Sequence, residues 1–152
     1  YAALMEEIDA APRFRAATDR VAELSEQLAV YGIRDSLQHD DLHDGQVFVR
    51  DGRYLLLDWG DACVSHPFFS LAVTLDGVLS WGVDDVQGSA PTEPFRDAYL
   101  EPFRGRTTSD LVGLSGTARR LGWLCRAVNS RRSQPSDEST RLRLRMFLDD
   151  RA

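Results

Sequence analysis

Apolar and polar residues recur along this chain with two different periods. From about residue 13 to 31, Phe14, Val21, Leu24, Leu28 and Val30 stand among charged residues at helical spacing, which predicts a helix ending near Gly32. Ser36-Leu37-Gln38-His39 reads as a short extended stretch leading into a loop. Residues 46–50 (Gln-Val-Phe-Val-Arg) and 53–58 (Arg-Tyr-Leu-Leu-Leu-Asp) are strand-like, and Asp51-Gly52 between them is a two-residue hairpin signal. The Leu55-Leu56-Leu57 run predicts burial on both faces of its strand. The chain then reads as irregular as far as Pro67.

Residues 68–79 predict an apolar, buried helix, and residues 82–91, rich in Gly, Asp, Ser and Pro, predict a loop. A helix over 93–103 has Thr92 placed as its N-cap. A long helix is expected over 107–132, with Thr108 or Ser109 near its start. Residues 133–137 break it, and 139–149 form a last amphipathic helix. Phe68, Phe69, Trp81 and Trp123 are expected in the core. The sum is an α+β chain, mainly α: one domain over residues 1–152, with a small hairpin set into a helical body.

Composition narrows the function classes. Hydrophobic residues make up 43 % of the 152, enough for a core, and charged residues 28 %. No apolar run reaches the ~18 residues of a membrane span, so no membrane partner is expected. The acidic N-terminus, Tyr1-Ala-Ala-Leu-Met-Glu-Glu, does not fit a signal peptide. A cytoplasmic protein with free thiols at Cys63 and Cys125 is the expectation. A net charge of −6 argues against nucleic acid as a partner. All 18 basic residues are arginine. The chain therefore has no lysine for a Walker loop or a kinase β3 strand, and it has no Gly-x-Gly-x-x-Gly run.

Candidate chemistry concentrates between residues 39 and 60. The order is His39-Asp40-Asp41-Leu42-His43-Asp44-Gly45-Gln46, then the hairpin, then Asp58-Trp59-Gly60. A carboxylate at Asp41 can orient a hydroxyl nucleophile and take its proton late. Gln46 offers a neutral oxygen ligand and Asp58 a charged one, and an antiparallel hairpin brings position 46 beside position 58. Together they make a site of the size a Mg²⁺ ion needs. Taken singly, each is an ordinary residue: a lone loop Asp usually serves a turn, and a lone His a structural hydrogen bond. The joint order around a hairpin of this length is what carries the reading.

The run His39-Asp-Asp-Leu-His43-Asp-Gly45, followed by Leu57-Asp58-Trp59-Gly60-Asp61-Ala62, resembles the aminoglycoside phosphotransferase family. That family includes small-molecule kinases of the choline-kinase type, and the resemblance covers residues ~39 to 62 specifically. It implies a protein-kinase-like fold, with a helical C-terminal lobe below a β-rich lobe that grips nucleotide. It also implies ATP (or GTP) with Mg²⁺, and a hydroxyl on a small molecule as acceptor. By the same resemblance Asp41 matches the catalytic base, and His39 opens and braces its loop. His43 packs beneath Asp41, and Asp58 and Gln46 hold metal and nucleotide. Gln46 stands where the family has Asn, and one extra methylene moves the amide oxygen by ~1.5 Å at a metal with little tolerance for error.

The chain is expected to be the C-terminal lobe of such an enzyme, inactive without the N-terminal nucleotide-binding lobe, which is absent from it. Asp84, Asp85, Glu93, Asp97 and Glu101 could grip a cationic acceptor, or simply form a solvated face. Arg119, Arg120, Arg126, Arg131 and Arg132 form a basic stripe, read as surface ion pairing. His66-Pro67 fixes the chain after the metal loop. Two other readings compete. One is a degenerate kinase-like lobe kept for binding or scaffolding. The other is a metal-dependent hydrolase using His39, Asp41, His43 and Asp58 as Zn²⁺ ligands.

Overall fold

The computed structural model describes residues 11–103, 108–133 and 137–149. Helices α1 (Ala11–Ala16) and α2 (Thr18–Ala29) open it, with a break at Ala17 inside the predicted helix. Gly32, at φ 59°, turns the chain out of α2, a left-handed backbone that glycine adopts without a Cβ penalty. Strand β1 (Ser36–Gln38) follows, then the loop that carries His39 to Asp44. Strands β2 (Val47–Arg50) and β3 (Arg53–Leu56) form the expected hairpin, from Val47 opposite Leu56 to Arg50 opposite Arg53. Asp51 and Gly52 both have positive φ, 51° and 70°, as a tight turn matched to strand twist requires.

The stretch after Asp61, read as irregular, contains a further strand, β4 (Cys63–Ser65). It pairs antiparallel with β1 in the register Ser36–Ser65, Leu37–Val64, Gln38–Cys63. Three residues carry too little alternation to announce a strand; the partner strand makes it one. The two-stranded sheets thus hold the loop after β1 against the loop after β3.

The predicted helix over 68–79 is not one α-helix. A 3₁₀ turn (Pro67–Ser70), a π-helical turn (Ala72–Asp76) and a second 3₁₀ turn (Leu79–Trp81) share the span. Gly77 N–H reaches back to Ala72 O as well as Val73 O, which widens the turn by one residue. Helix α3 (Glu93–Leu100) lies inside the predicted span and continues as a 3₁₀ turn (Glu101–Phe103). Thr92 does not cap it: its backbone is already helical and its hydroxyl makes no capping bond. Helices α4 (Thr108–Ser133) and α5 (Asp137–Leu148) complete the fold. The predicted first residue of the long helix, Thr107, lies outside the described residues, as do 134–136 of the predicted break over 133–137; Ser133 ends α4 and Asp137 begins α5.

Helix α4 is the spine. It packs on α2, on α5 and on the turn at Pro67–Ser70. Leu24 and Leu28 from α2, Phe68 and Leu75 from the turns, Leu114 and Trp123 from α4, and Phe147 from α5 share one apolar core. Gly122 lets α4 touch the turn: a Cβ there would stand 2.6 Å from Phe69 O. Trp81 departs from the core expectation and is 38 % exposed, while Trp123 is buried. The Leu55-Leu56-Leu57 run departs more sharply. All three leucines are exposed, with Phe48, Val49 and Tyr54 of the same hairpin. Among the described residues nothing lies over that hairpin, so its apolar side chains find no second layer.

Candidate active site

The mouth of the hairpin forms first. Leu57 N–H donates to Gln46 O at 3.0 Å, one step beyond the ladder, and this fixes position 58 beside position 46. The Gln46 Nε2 amide donates to Asp58 Oδ2 at 3.2 Å. Asp58 itself has φ 58° and ψ 60°, a left-handed conformation that aspartate tolerates better than most residues. That bend turns the chain out of the strand direction and into the turn Trp59–Asp61. The pair offers one carboxylate and one amide, the hard oxygen chemistry that suits a divalent ion sharing its sphere with water and phosphate.

His39 is 4 % exposed and lies behind this mouth. Its Nε2 is 2.6 Å from Leu57 O, and its ring lies against Trp59 at 4.9 Å between centroids. Trp59 Nε1 donates to Leu56 O at 2.8 Å. His39 therefore touches the backbone on which Asp58 is carried. His43 accepts from Gly45 N–H through Nδ1 at 3.2 Å, and its Nε2 is 3.3 Å from Gln46 Nε2. The imidazole thus contacts the amide side of the pair. Thr74 Oγ1 donates to Leu42 O at 2.9 Å, which anchors the middle of the loop to the π turn.

Asp41 is gripped from α4. Arg126 Nη2 forms an ion pair with Asp41 Oδ2 at 2.7 Å, and Nη1 donates to Asp61 Oδ2 at 2.5 Å. The guanidinium is 4 % exposed and spans the two loops that hold Asp41 and Asp58. The rigid fork of arginine makes this possible where a lysine would reach one carboxylate at a time. Arg126 had been read as one member of a surface stripe; the structure buries it. Helical spacing groups Arg119 and Arg126 on one face but cannot say that the face turns inward. Arg119 is also largely shielded, 3.4 Å from Asp76. The side chains of Arg131 and Arg132 lie outside the described residues.

Asp40, unremarkable in the sequence, is the most buried acid of the site at 1 % exposure. It has φ 66°, and Asn129 Nδ2 donates to its Oδ2 at 2.8 Å. Burial pushes its carboxyl up to about 6, against the pull of Asn129 and Arg126. Its ligand atoms and those of Cys63 and Cys125 lie within 4.8 Å of one another. Burial pushes the Cys125 thiol up to about 12, with Asp40 and Cys63 adding to it, and neither cysteine is in a disulfide. His39, Asp41, His43 and Asp58, the four zinc ligands of the hydrolase reading, form no such group among the described residues.

A pocket of about 410 Å³ opens beside Asp41. Trp81, Trp123 and Leu142 wall it, and Asp76, Arg126 and Arg143 bring charge to it. Asp76 is pushed up to about 6, burial outweighing the Arg119 guanidinium and the Trp123 indole nearby. Asp84, Asp85 and Glu93 are exposed and do not line this pocket, although Gln87 of the same loop does. His66 is buried at the turn after β4, where its Nδ1 accepts from Phe68 N–H at 3.2 Å.

A family model described as "Phosphotransferase enzyme family" matches residues 2–111, which include the whole loop and hairpin constellation. No curated protein and no solved structure matches the chain.

Proposed function

The chain belongs to the phosphotransferase enzyme family, and we propose that it is the helical, acceptor-binding lobe of an ATP- (or GTP-) and Mg²⁺-dependent kinase acting on a small-molecule hydroxyl. The observation that carries this reading is the pairing of Gln46 with Asp58 at the hairpin mouth, tied through Asp61 and Arg126 to Asp41 at the rim of a pocket. A metal site, a base and a cavity for an acceptor are what phosphoryl transfer asks of one lobe.

Each residue then has a task. With Oδ2 held by Arg126, Asp41 has Oδ1 left to accept a hydrogen bond from the acceptor hydroxyl. The acceptor oxygen bonds to the γ-phosphorus as the bridging bond to the β-phosphate breaks. The hydroxyl proton passes to Asp41, and nucleoside diphosphate leaves with the bond's electrons. Gln46 and Asp58 would hold Mg²⁺, which when bound offsets charge on the phosphate oxygens. His39 is a positioning residue, holding the Leu57 carbonyl beside Asp58.

The hairpin supports a second component. Phe48, Tyr54, Leu55, Leu56 and Leu57 expose apolar surface, and the chain has neither a lysine nor a glycine-rich phosphate loop. We read that surface as the seat of a nucleotide-holding lobe, without which transfer by this chain is slight. No helix among the described residues is long and apolar enough to cross a membrane. The test is transfer of labelled γ-phosphate by the protein carrying both lobes. Asp41→Asn should retain Mg²⁺-nucleotide binding and lose roughly 100-fold or more in rate. Unchanged transfer in that variant would remove Asp41 as the base.

A further inference from the structure

The wall of the pocket beside Asp41 says which acceptors suit it. Its volume of about 410 Å³ falls within the range of small-ligand sites, roughly 300–1,000 Å³. Val73, Trp81, Trp123, Leu142 and Met146 make most of the wall apolar and give it two flat indole surfaces. Three of its four charges already have partners. Asp41 and Arg126 hold each other at 2.7 Å, and Asp76 has Arg119 at 3.4 Å.

Arg143 is the fourth. It is partly shielded, and among the described residues no hydrogen bond and no ion pair within 4.0 Å engages it. Asp40, Asp41 and Asp61 act on it only from a distance, while burial and the neighbouring Arg126 lower its pKa. An unmet cationic donor on an apolar wall favours a ligand oxygen, and an oxyanion above all. The exposed acids Asp84, Asp85 and Glu93, which would suit a cation, lie off the wall.

We propose that the pocket takes an alcohol with a flat, apolar body and a carboxylate that Arg143 receives, in preference to a polyamine. Calling that alcohol the acceptor rests on the phosphotransferase reading; the pocket's selectivity does not, and it can be measured without nucleotide or metal.

Three matched alcohols test it: 4-(hydroxymethyl)benzoate, 4-methylbenzyl alcohol and 4-(aminomethyl)benzyl alcohol, each titrated against this chain. The three tryptophan indole N–H signals serve as the readout. The carboxylate should bind about tenfold or more tighter than the ammonium compound, the scale of one charge-assisted contact. It should move the Trp81 and Trp123 signals and leave that of Trp59 in place. Arg143→Gln should bring the carboxylate to the affinity of the neutral alcohol without changing the latter, and Trp81→Leu should weaken all three. Equal or tighter binding of the ammonium compound overturns the proposal. So does a carboxylate preference that survives Arg143→Gln, or a set of compounds that leaves both pocket indoles unmoved. The expected selectivity, with no transfer to any alcohol in the two-lobed protein, would sink the kinase reading alone. Asp41-dependent transfer to polyamines but not to the carboxylate would sink the pocket proposal alone.

Discussion

Arg126 holds Asp41 by a 2.7 Å contact from the middle of α4, a helix that begins far beyond the loop in the chain. The same guanidinium takes Asp61, so one buried cation fixes the Asp41 loop and the loop that follows Asp58. Removing it leaves two carboxylates facing each other without their counter-ion. Arg126→Met should cost about 3 kcal/mol in denaturant unfolding, as the loss of one member of a buried pair does. In the two-lobed enzyme it should lower the transfer rate by roughly 100-fold through misplacement of Asp41. Arg126→Lys should recover part of the stability and little of the rate, since an ammonium cannot bridge both carboxylates as a fork does. Full activity in Arg126→Met would show that the clamp is dispensable.

Asp40 sets a pH dependence of stability. Its folded pKa of about 6 lies above the ordinary 3.8, with burial as the largest cause. The folded state therefore binds the proton more readily than the unfolded one. Its contribution is complete below about pH 4 and is lost as pH rises through about 6. Asp76, raised to about 6 by burial, acts in the same direction. Asp40→Asn keeps an acceptor for Asn129 and a residue that tolerates φ 66°. It should raise stability at pH 7 by about 2 kcal/mol and flatten the fall between pH 4 and 6, where Asp76 alone remains. Denaturant midpoints measured across pH 4 to 8 check both signs.

His39 touches the carbonyl of Leu57 and the ring of Trp59, and in the proposed site it places Asp58. His39→Ala should cost about 1–3 kcal/mol, because it strips a partner from a backbone acceptor and opens the space behind the loop. Manganese affinity, read by electron paramagnetic resonance as a stand-in for Mg²⁺, should fall although Asp58 and Gln46 are intact. Unchanged manganese affinity would separate His39 from the metal mouth.

In the proposed site Gln46 is the amide partner of Asp58, and a shorter amide is the alternative to test. Its Nε2 lies 3.2 Å from Asp58, so the longer side chain meets the carboxylate itself. Gln46→Asn draws the amide back by one methylene and should tighten Mg²⁺ binding, seen as a lower magnesium requirement for nucleotide binding. A weaker site in the variant would mean that the backbone has already adjusted to glutamine.

The hairpin, its turn and the meeting of Gln46 with Asp58 were legible in the sequence because each rests on local rules: alternation, an Asp-Gly pair and the register that follows. The Arg126 clamp was not. An arginine stripe on a long helix looks the same whether it faces water or two carboxylates, and only the packing of α4 decides. Asp40 was hidden for a similar reason, since burial of a loop acid depends on what closes over it. Its signal was slight: an aspartate forced to φ 66° is not written in the residue itself. The leucine run misled because apolar content reports a preference for burial, not the presence of a second layer. The extra acid at Asp61, three residues beyond Asp58, was visible, but nothing in the sequence says that Arg126 turns inward to meet it.

The central claim is that Gln46 and Asp58 form a metal site that carries nucleotide. Calorimetric titration of this chain with Mg²⁺ and ATP, beside Asp58→Ala, tests it most directly. Weak nucleotide binding that requires Mg²⁺ and disappears in Asp58→Ala is the predicted result. Nucleotide binding of equal strength without Mg²⁺, or in Asp58→Ala, would contradict it.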